Sequence, residues 1–330
     1  MIITRTPLRI SFFGGGTDYR EFYLRHKGAI LGTTINKYVY VSLNRLSSFF
    51  DYKIRVGYSK AELVNSVGEI VHPSVRECLR YKKIEGNLDI HIFADLPART
   101  GLGSSSAFTV GFLHALHALN GQMVSKKNLA EEARHVEQEL IRENVGSQDQ
   151  YHASHGGLNI MEFSKEGVNV RPLVISREKR EAFQQSLMVF YTGLSRHASE
   201  VVREQVENTR TKGKDEYLLR MLSMVYEAEK IVSEKTPETM VRELGALLHE
   251  GWEFKKKLST QVSNSLIDQA YQRTLEAGAY GGKLCGAGGG GFLALVVPPH
   301  KQDAVRSTLK DLLEVHFLFE EEGSTVIYLK

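Results

Sequence analysis

The sequence has only two cysteines, Cys78 and Cys285, in 330 residues. Neither a disulfide framework nor a multi-cysteine metal site can be built from them. That scarcity fits a reducing compartment, and the cytoplasm is the expected location. No run of about 18 apolar residues occurs, so no membrane-spanning helix is expected. Arg5 and Arg9 interrupt the short apolar stretch at the N-terminus, and no secretory leader is expected there. A large excess of one charge is also lacking. The net charge is +3 and the basic residues form no arm or stripe, which speaks against a nucleic-acid partner. The run Lys255-Lys256-Lys257 sits in a helical pattern and reads as a solvated face. Trp252, the only tryptophan, reads as packing on a helix.

The chain is 42% hydrophobic and 25% charged, an ordinary globular balance with material for a large core. Its length suggests two domains, taken as residues 1–170 and 171–330, although composition does not mark the boundary. Extended structure is expected over 1–13, 29–43 and 88–93, where Leu88 to Phe93 alternates cleanly. The period turns helical from Ser104 to a stop at Gly121, and again over 126–143. Strands are expected at 156–163, 169–174 and 187–191. A long helical half over 195–257 and a helix at 263–277 follow. Strand, glycine loop, strand, helix and strand close the chain. This order without strict alternation indicates an α+β fold.

Four segments can carry chemistry. Pro97-Ala98-Arg99-Thr100-Gly101-Leu102-Gly103-Ser104-Ser105-Ser106-Ala107 links a strand to a helix. Glycines let successive N–H groups converge, and the first helical turn adds free N–H groups with partial positive charge. Three serines exceed what an N-cap requires and offer hydroxyls to phosphate or magnesium. No lysine follows the second glycine, so this is not the G-x-x-x-x-G-K-[ST] loop. Gly286-Ala287-Gly288-Gly289-Gly290-Gly291 is an entropically costly loop, expected where something approaches the backbone closely. Pro7 to Tyr19 places Arg9 and Asp18 on either side of Gly14-Gly15-Gly16, an arginine for phosphoryl charge and a carboxylate for sugar hydroxyls. Glu137 and Asp149 lie twelve residues apart across a Gly146-Ser147 turn. One carboxylate on magnesium and another near an attacking hydroxyl suit MgATP chemistry. The pairs His114/His117 and His152/His155 lack an evident third ligand and read as packing residues, although His152 follows Asp149 closely enough to line a cleft.

Together these segments resemble the GHMP kinase superfamily of galactokinase, homoserine kinase, mevalonate kinase and phosphomevalonate kinase. PARTGLGSSSA at 97–107, GAGGGG at 286–291 and TPLRISFFGGGTDY at 6–19 resemble its three motifs, in order and across essentially the whole chain. The resemblance implies a two-domain fold with the active site in the interdomain cleft, and ATP and Mg2+ as cofactors. It implies Asp149 as catalytic aspartate with Arg9 beside it, and Thr100, Gly101, Leu102, Gly103, Ser104, Ser105 and Ser106 as the nucleotide loop. Ser105 and Glu137 are the implied metal ligands. Gly14, Gly15, Gly16, Thr17, Asp18, Gly288 and Gly289 are placed around the substrate.

One departure bears on the substrate. Galactokinases carry Gly-Glu-His-Thr-Asp-Tyr where this chain has Gly14-Gly15-Gly16-Thr17-Asp18-Tyr19. Losing the glutamate and histidine makes room at the far end of the sugar, so a longer or phosphorylated sugar is expected. The pattern R-I-S-F-x-G-G-G-T-D, with Gly282-Lys283-Leu284 before the last glycine loop, looks most like the D-glycero-D-manno-heptose 7-phosphate kinases. The kinase half of bifunctional fucose kinases is similar. The implied reaction is phosphorylation of an anomeric hydroxyl on a small-molecule sugar phosphate, giving a 1,7-bisphosphate. Lys283, Arg196 and Arg99 are the candidate cations for the substrate's own phosphate, ahead of Arg25 and Lys27. Competing expectations are a fucose-type or other kinase of the same fold, and a nucleotide- and sugar-binding sensor without catalysis. A homodimer is the assembly considered.

Overall fold

A computed structural model describes residues 1–98, 100–193, 204, 207, 209 and 213–330. Arg99, Arg196 and the start of the expected 195–257 helical half lie outside the described residues.

In chain order the described elements are β1 (Ile2–Phe13), α1 (Arg20–His26), β2 (Gly28–Arg45), β3 (Ile54–Gly57), β4 (Ala61–Val64), α2 (Pro73–Tyr81), β5 (Leu88–Ala94), α3 (Ser104–Leu119), α4 (Lys126–His135), α5 (Gln148–His155), β6 (Leu158–Ser164) and β7 (Gly167–Pro172). They continue with α6 (Arg177–Ser186), β8 (Leu187–Tyr191), α7 (Asp215–Glu234), α8 (Pro237–Leu258), α9 (Ser265–Glu276), β9 (Gly281–Leu284), β10 (Phe292–Val296), α10 (Gln302–Thr308), β11 (Leu313–Glu314), β12 (Phe319–Glu320) and β13 (Thr325–Leu329).

Two sheets organise the molecule. The first runs β13-β1-β2-β5-β3-β4, with β6 and β12 also pairing to β2, and β7 to β6. Its centre is β2. Residues 28–33 pair with β6 and residues 39–45 with β5, while β1 runs along nearly its whole other edge. The second sheet runs β11-β8-β10-β9, all antiparallel. The expected boundary after residue 170 is corrected by this pairing. It falls inside β7, and β12 and β13 return to the first sheet. The first half of the chain therefore needs the last residues to complete its sheet.

The helix α3 packs across β1 and β2 and is buried on nearly every side, as its apolar composition demands. Buried Leu218, Met221, Val225, Ala228 and Val232 of α7 follow the helical period. The described part of the expected helical half is two helices, because Pro237 takes the first turn of α8 and has no N–H to continue α7. Among the described residues no helix is long and apolar enough to cross a membrane. Both cysteines are buried and free.

Candidate active site

β1 delivers Arg9, which is 5% exposed, to the start of α3. The Arg9 Nε and Nη2 atoms donate to the two Asp149 carboxylate oxygens at 2.7 and 2.8 Å, and Nη1 donates to the Gly101 carbonyl at 2.6 Å. The Arg9 backbone N–H donates to the Leu102 carbonyl at 3.0 Å. A guanidinium has five N–H donors. Three are used here, and two on a buried cation remain for an incoming anion. Asp149 lies in the first turn of α5, and its side chain keeps 24% exposure while Arg9 fixes its orientation.

Gly103 precedes α3 in the left-handed region, φ 78°, and no side chain caps the helix. The first-turn N–H groups are thus left for a ligand. Thr100 is buried and its hydroxyl donates to the Pro97 carbonyl at 2.7 Å. The Leu102 side chain is buried in the main core, so it anchors the loop instead of touching a nucleotide. The C-terminal glycine loop packs onto this one. A Cβ on Gly101 would lie 2.4 Å from the Cys285 carbonyl oxygen, and one on Gly286 would lie 2.4 Å from the Gly101 Cα.

Glu137 sits in a π-helical turn, Val136–Leu140, at the end of α4, an irregularity common at functional sites. It is 1% exposed and accepts from the Ser106 and Thr109 hydroxyls, each at 2.8 Å, and from the Gln150 amide. No lysine or arginine compensates it among the described residues, and burial pushes its carboxyl up to about 7 against those three bonds. A buried carboxylate beside a serine hydroxyl with no cation is a donor set that fits Mg2+. The hydroxyl partner is Ser106. Ser105, the hydroxyl expected beside the carboxylate, is exposed, and it is Ser106 that reaches Glu137.

The segment 14–18 also differs from expectation. The Thr17 hydroxyl donates to the Ala29 carbonyl at 2.9 Å and accepts from the Ala29 N–H at 3.1 Å, so it pins the turn to β2 and is not offered to substrate. Gly14 is pressed on the same strand, since a Cβ there would lie 1.9 Å from the Ala29 carbonyl oxygen. Asp18, 1% exposed, accepts from the Gly16 N–H at 3.1 Å, the Gln148 N–H at 3.3 Å and the Gln148 side-chain amide at 3.0 Å. It clamps the turn against the 146–148 loop. Burial, and then Asp149, raise its carboxyl above the usual range. Gly288 and Gly289 are held on Val262, whose carbonyl accepts from the Gly289 N–H at 2.8 Å.

Lys283 is buried, and its ammonium donates to the Ser11 and Phe12 carbonyls at 2.8 and 3.1 Å. Lys255 overturns the reading of its run as a solvated face. It is 4% exposed, and its ammonium donates to the Gly286 carbonyl. Burial lowers Lys255 to about 7 and Lys283 to about 8, with mutual repulsion adding to the Lys255 shift. His152 is likewise fully buried, with neither ring nitrogen hydrogen-bonded, and burial and Arg9 lower it to about 3. It is therefore a neutral wall beside Arg9.

The Lys255 shift has a consequence for stability. Between about 7 and its ordinary value of 10.5 the unfolded chain binds the proton that the folded chain releases, so stability rises with pH across that window. Below about 7 both states hold the proton and the burial cost is complete. Lys255→Met is therefore expected to raise Tm by several degrees at pH 6 in phosphate-free buffer, with the gain shrinking toward pH 10. Thermal melts at the two pH values check this. An equal or absent gain would contradict it.

Two sheets thus bring an uncapped helix start, an Arg–Asp pair, a buried carboxylate and two buried lysines to one place. The model of the GHMP kinases N terminal domain matches residues 66–157, and that of the GHMP kinases C terminal matches residues 235–315, together more than half of the chain. The chain belongs to the GHMP kinases. As a GHMP kinase it is an ATP-dependent phosphotransferase. It is 28% identical over 334 residues to the D-glycero-alpha-D-manno-heptose 7-phosphate kinase of Campylobacter jejuni, covering 98% of this chain and 97% of that protein. It is 29% identical over 232 residues to a bifunctional fucokinase/GDP-fucose pyrophosphorylase of Arabidopsis thaliana, covering 69% of this chain and 22% of that longer protein. The crystal structure of a D-glycero-D-manno-heptose 1-phosphate kinase from Bacteroides thetaiotaomicron shares the fold of this GHMP kinase, with a TM-score of 0.79 at 24% identity over the whole of both chains.

Proposed function

We propose that this kinase transfers the γ-phosphoryl group of ATP to the anomeric hydroxyl of a sugar phosphate, D-glycero-D-manno-heptose 7-phosphate, giving the 1,7-bisphosphate. The observation that carries this reading is the two-pronged Arg9–Asp149 pair at the uncapped start of α3. Gly15 and Lys283 beside it, and the similarity to the Campylobacter jejuni heptose phosphate kinase, point to the acceptor.

In this reading the first-turn N–H groups of α3 and the Gly101–Gly103 backbone bind the ATP phosphates. Glu137 and Ser106 would hold Mg2+, which would offset the negative charge of the ATP phosphates. Asp149 accepts a hydrogen bond from the anomeric hydroxyl and orients its oxygen toward the γ-phosphorus. An O–P bond forms as the bond to the ADP leaving oxygen breaks. The hydroxyl proton passes to Asp149 and on to solvent. An anomeric hydroxyl is more acidic than an ordinary alcohol, so a partly exposed carboxylate suffices as its partner. The two free Arg9 N–H groups stabilise charge on the transferring group. Positioning and electrostatics supply most of the acceleration in such reactions.

Glu137→Gln is expected to raise the Mg2+ concentration for half-maximal rate by at least about tenfold, a typical cost of disturbing a metal ligand set. Rates titrated against Mg2+ at saturating ATP measure it, and an unchanged requirement would remove Glu137 from the metal site.

The reading is tested by ADP release with MgATP against the heptose 7-phosphate, mannose 6-phosphate, fucose, galactose and mevalonate. Turnover confined to the heptose phosphate is the expected result. The similarity to part of the plant bifunctional fucokinase/GDP-fucose pyrophosphorylase favours L-fucose as the second acceptor to examine. Silence on every acceptor with ATP still bound would favour a nucleotide- and sugar-binding sensor.

A further inference from the structure

Two buried lysines from different elements meet beside the glycine turn, and among the described residues neither has an acid to pair with. Lys255 comes from α8 and Lys283 from β9. Both line a cavity together with Phe12, Phe13, Gly14 and Met224. Their hydrogen bonds run only to neutral backbone carbonyls, those of Ser11 and Phe12 for Lys283 and that of Gly286 for Lys255. An ammonium has three N–H donors. Lys283 has one left and Lys255 two. Among the described residues neither forms an ion pair, and Asp18, the acid whose charge both feel, is spent on Gly16 and Gln148. Buried charges are ordinarily paired, so two like charges placed together without a counter-ion are costly unless an anion visits.

Gly15 supplies the way in. It has no side chain, and a Cβ built there would lie 3.9 Å from the Lys283 ammonium nitrogen, with no other heavy atom of the described residues within 4 Å. Any longer side chain at position 15 would occupy the space over that ammonium. We propose that Lys255 and Lys283 form the subsite for the phosphate that the sugar carries at the end remote from the accepting hydroxyl, with Gly15 leaving the opening through which it reaches them. This rests on the sugar-phosphate reading above and assigns the residues that make it selective. The lysines approach from the C-terminal half of the chain, whereas Arg9 and Asp149 hold the other end of the acceptor.

The test compares kcat/KM by ADP release for heptose 7-phosphate and for the same heptose without its phosphate. Four proteins are used: the unaltered chain, Lys255→Met, Lys283→Met and Gly15→Glu. Methionine keeps bulk and removes charge. Glutamate at position 15 adds an internal anion next to Lys283 at a site with room for a side chain, so its fold is not at risk. In the unaltered protein the phosphorylated heptose is expected to be preferred at least about a hundredfold, and each variant is expected to lose most of that ratio, mainly through KM. Thermal melts confirm that the variants are folded. If both acceptors fall together and the ratio holds, the lysines serve the fold or the transferring phosphate and the subsite is wrong. Should the unaltered protein prefer the unphosphorylated heptose, the subsite is again wrong but the sugar kinase stands. No turnover on either acceptor would remove the sugar-phosphate reading itself.

Discussion

Asp149→Asn is expected to lower turnover at least about a hundredfold while ATP affinity changes no more than a few-fold. The asparagine has the same shape, but only one of its two terminal atoms accepts a hydrogen bond. Asp149 now receives both the Nε and the Nη2 donors of Arg9, at 2.7 and 2.8 Å. In the variant an amide NH2 faces a guanidinium N–H, two donors with no acceptor between them, and Arg9 must turn away. The loss therefore has two parts, the missing partner of the sugar hydroxyl and a misplaced arginine. In the proposed reading the ATP phosphates are bound chiefly by the N–H groups at the start of α3, so ATP affinity is expected to change little. Single-turnover rates and titration with a non-hydrolysable ATP analogue separate the effects. Near-normal turnover would refute the assigned role.

A second large effect is expected from Gly101→Ala. Gly101 has φ +87°, a region that costs an alanine about 1–2 kcal/mol. A Cβ there would also meet the Cys285 carbonyl oxygen at 2.4 Å and its carbon at 2.8 Å, both backbone atoms that cannot rotate aside. The phosphate loop and the C-terminal glycine loop must then separate. The Gly101 carbonyl, which accepts from Arg9 Nη1 at 2.6 Å, moves with its residue. A loss of at least about a hundredfold in kcat/KM is expected, with a Tm lower by several degrees. Gly103→Ala provides the contrast. Its φ is also positive, but a Cβ would meet only the Arg9 side chain at 3.2 Å and Asp149 side-chain atoms from 3.4 Å. Equal losses in the two variants would show that backbone strain alone is responsible.

What could be read from the sequence was what is local. The phosphate loop, β5 before it and α3 after it follow from glycine placement and a change of period within about twenty residues. Arg9 and Asp149 were paired through the family resemblance, and the structure joins them across 140 positions. The choice between Ser105 and Ser106 depended on helical phase. Ser106 and Thr109 lie three apart on one face and both reach Glu137, a spacing available in the sequence but not used. The same holds for Lys255. Leu248, Trp252 and Lys255 follow the helical period and are all buried, whereas Lys256 keeps its ammonium at the surface beside Glu253. A run of like charges hid one member facing inward. The internal bonds of Thr17 and Asp18 were not foreseen, because a Gly-Thr-Asp turn offers the same groups to its own backbone as to a ligand. The return of β12 and β13 to the first sheet had no local sign, since pairing of Ile2 with Leu329 is set by topology. The helices α1, α2 and α6 and the β3–β4 hairpin were not foreseen.

The most direct measurement is to incubate the protein with MgATP and D-glycero-D-manno-heptose 7-phosphate and locate the new phosphate by 31P NMR with carbon coupling. A second phosphate on C1, formed one for one with ADP, is the expected result. ADP formed without a sugar bisphosphate, or a new phosphate on any carbon other than C1, would contradict the proposed reaction.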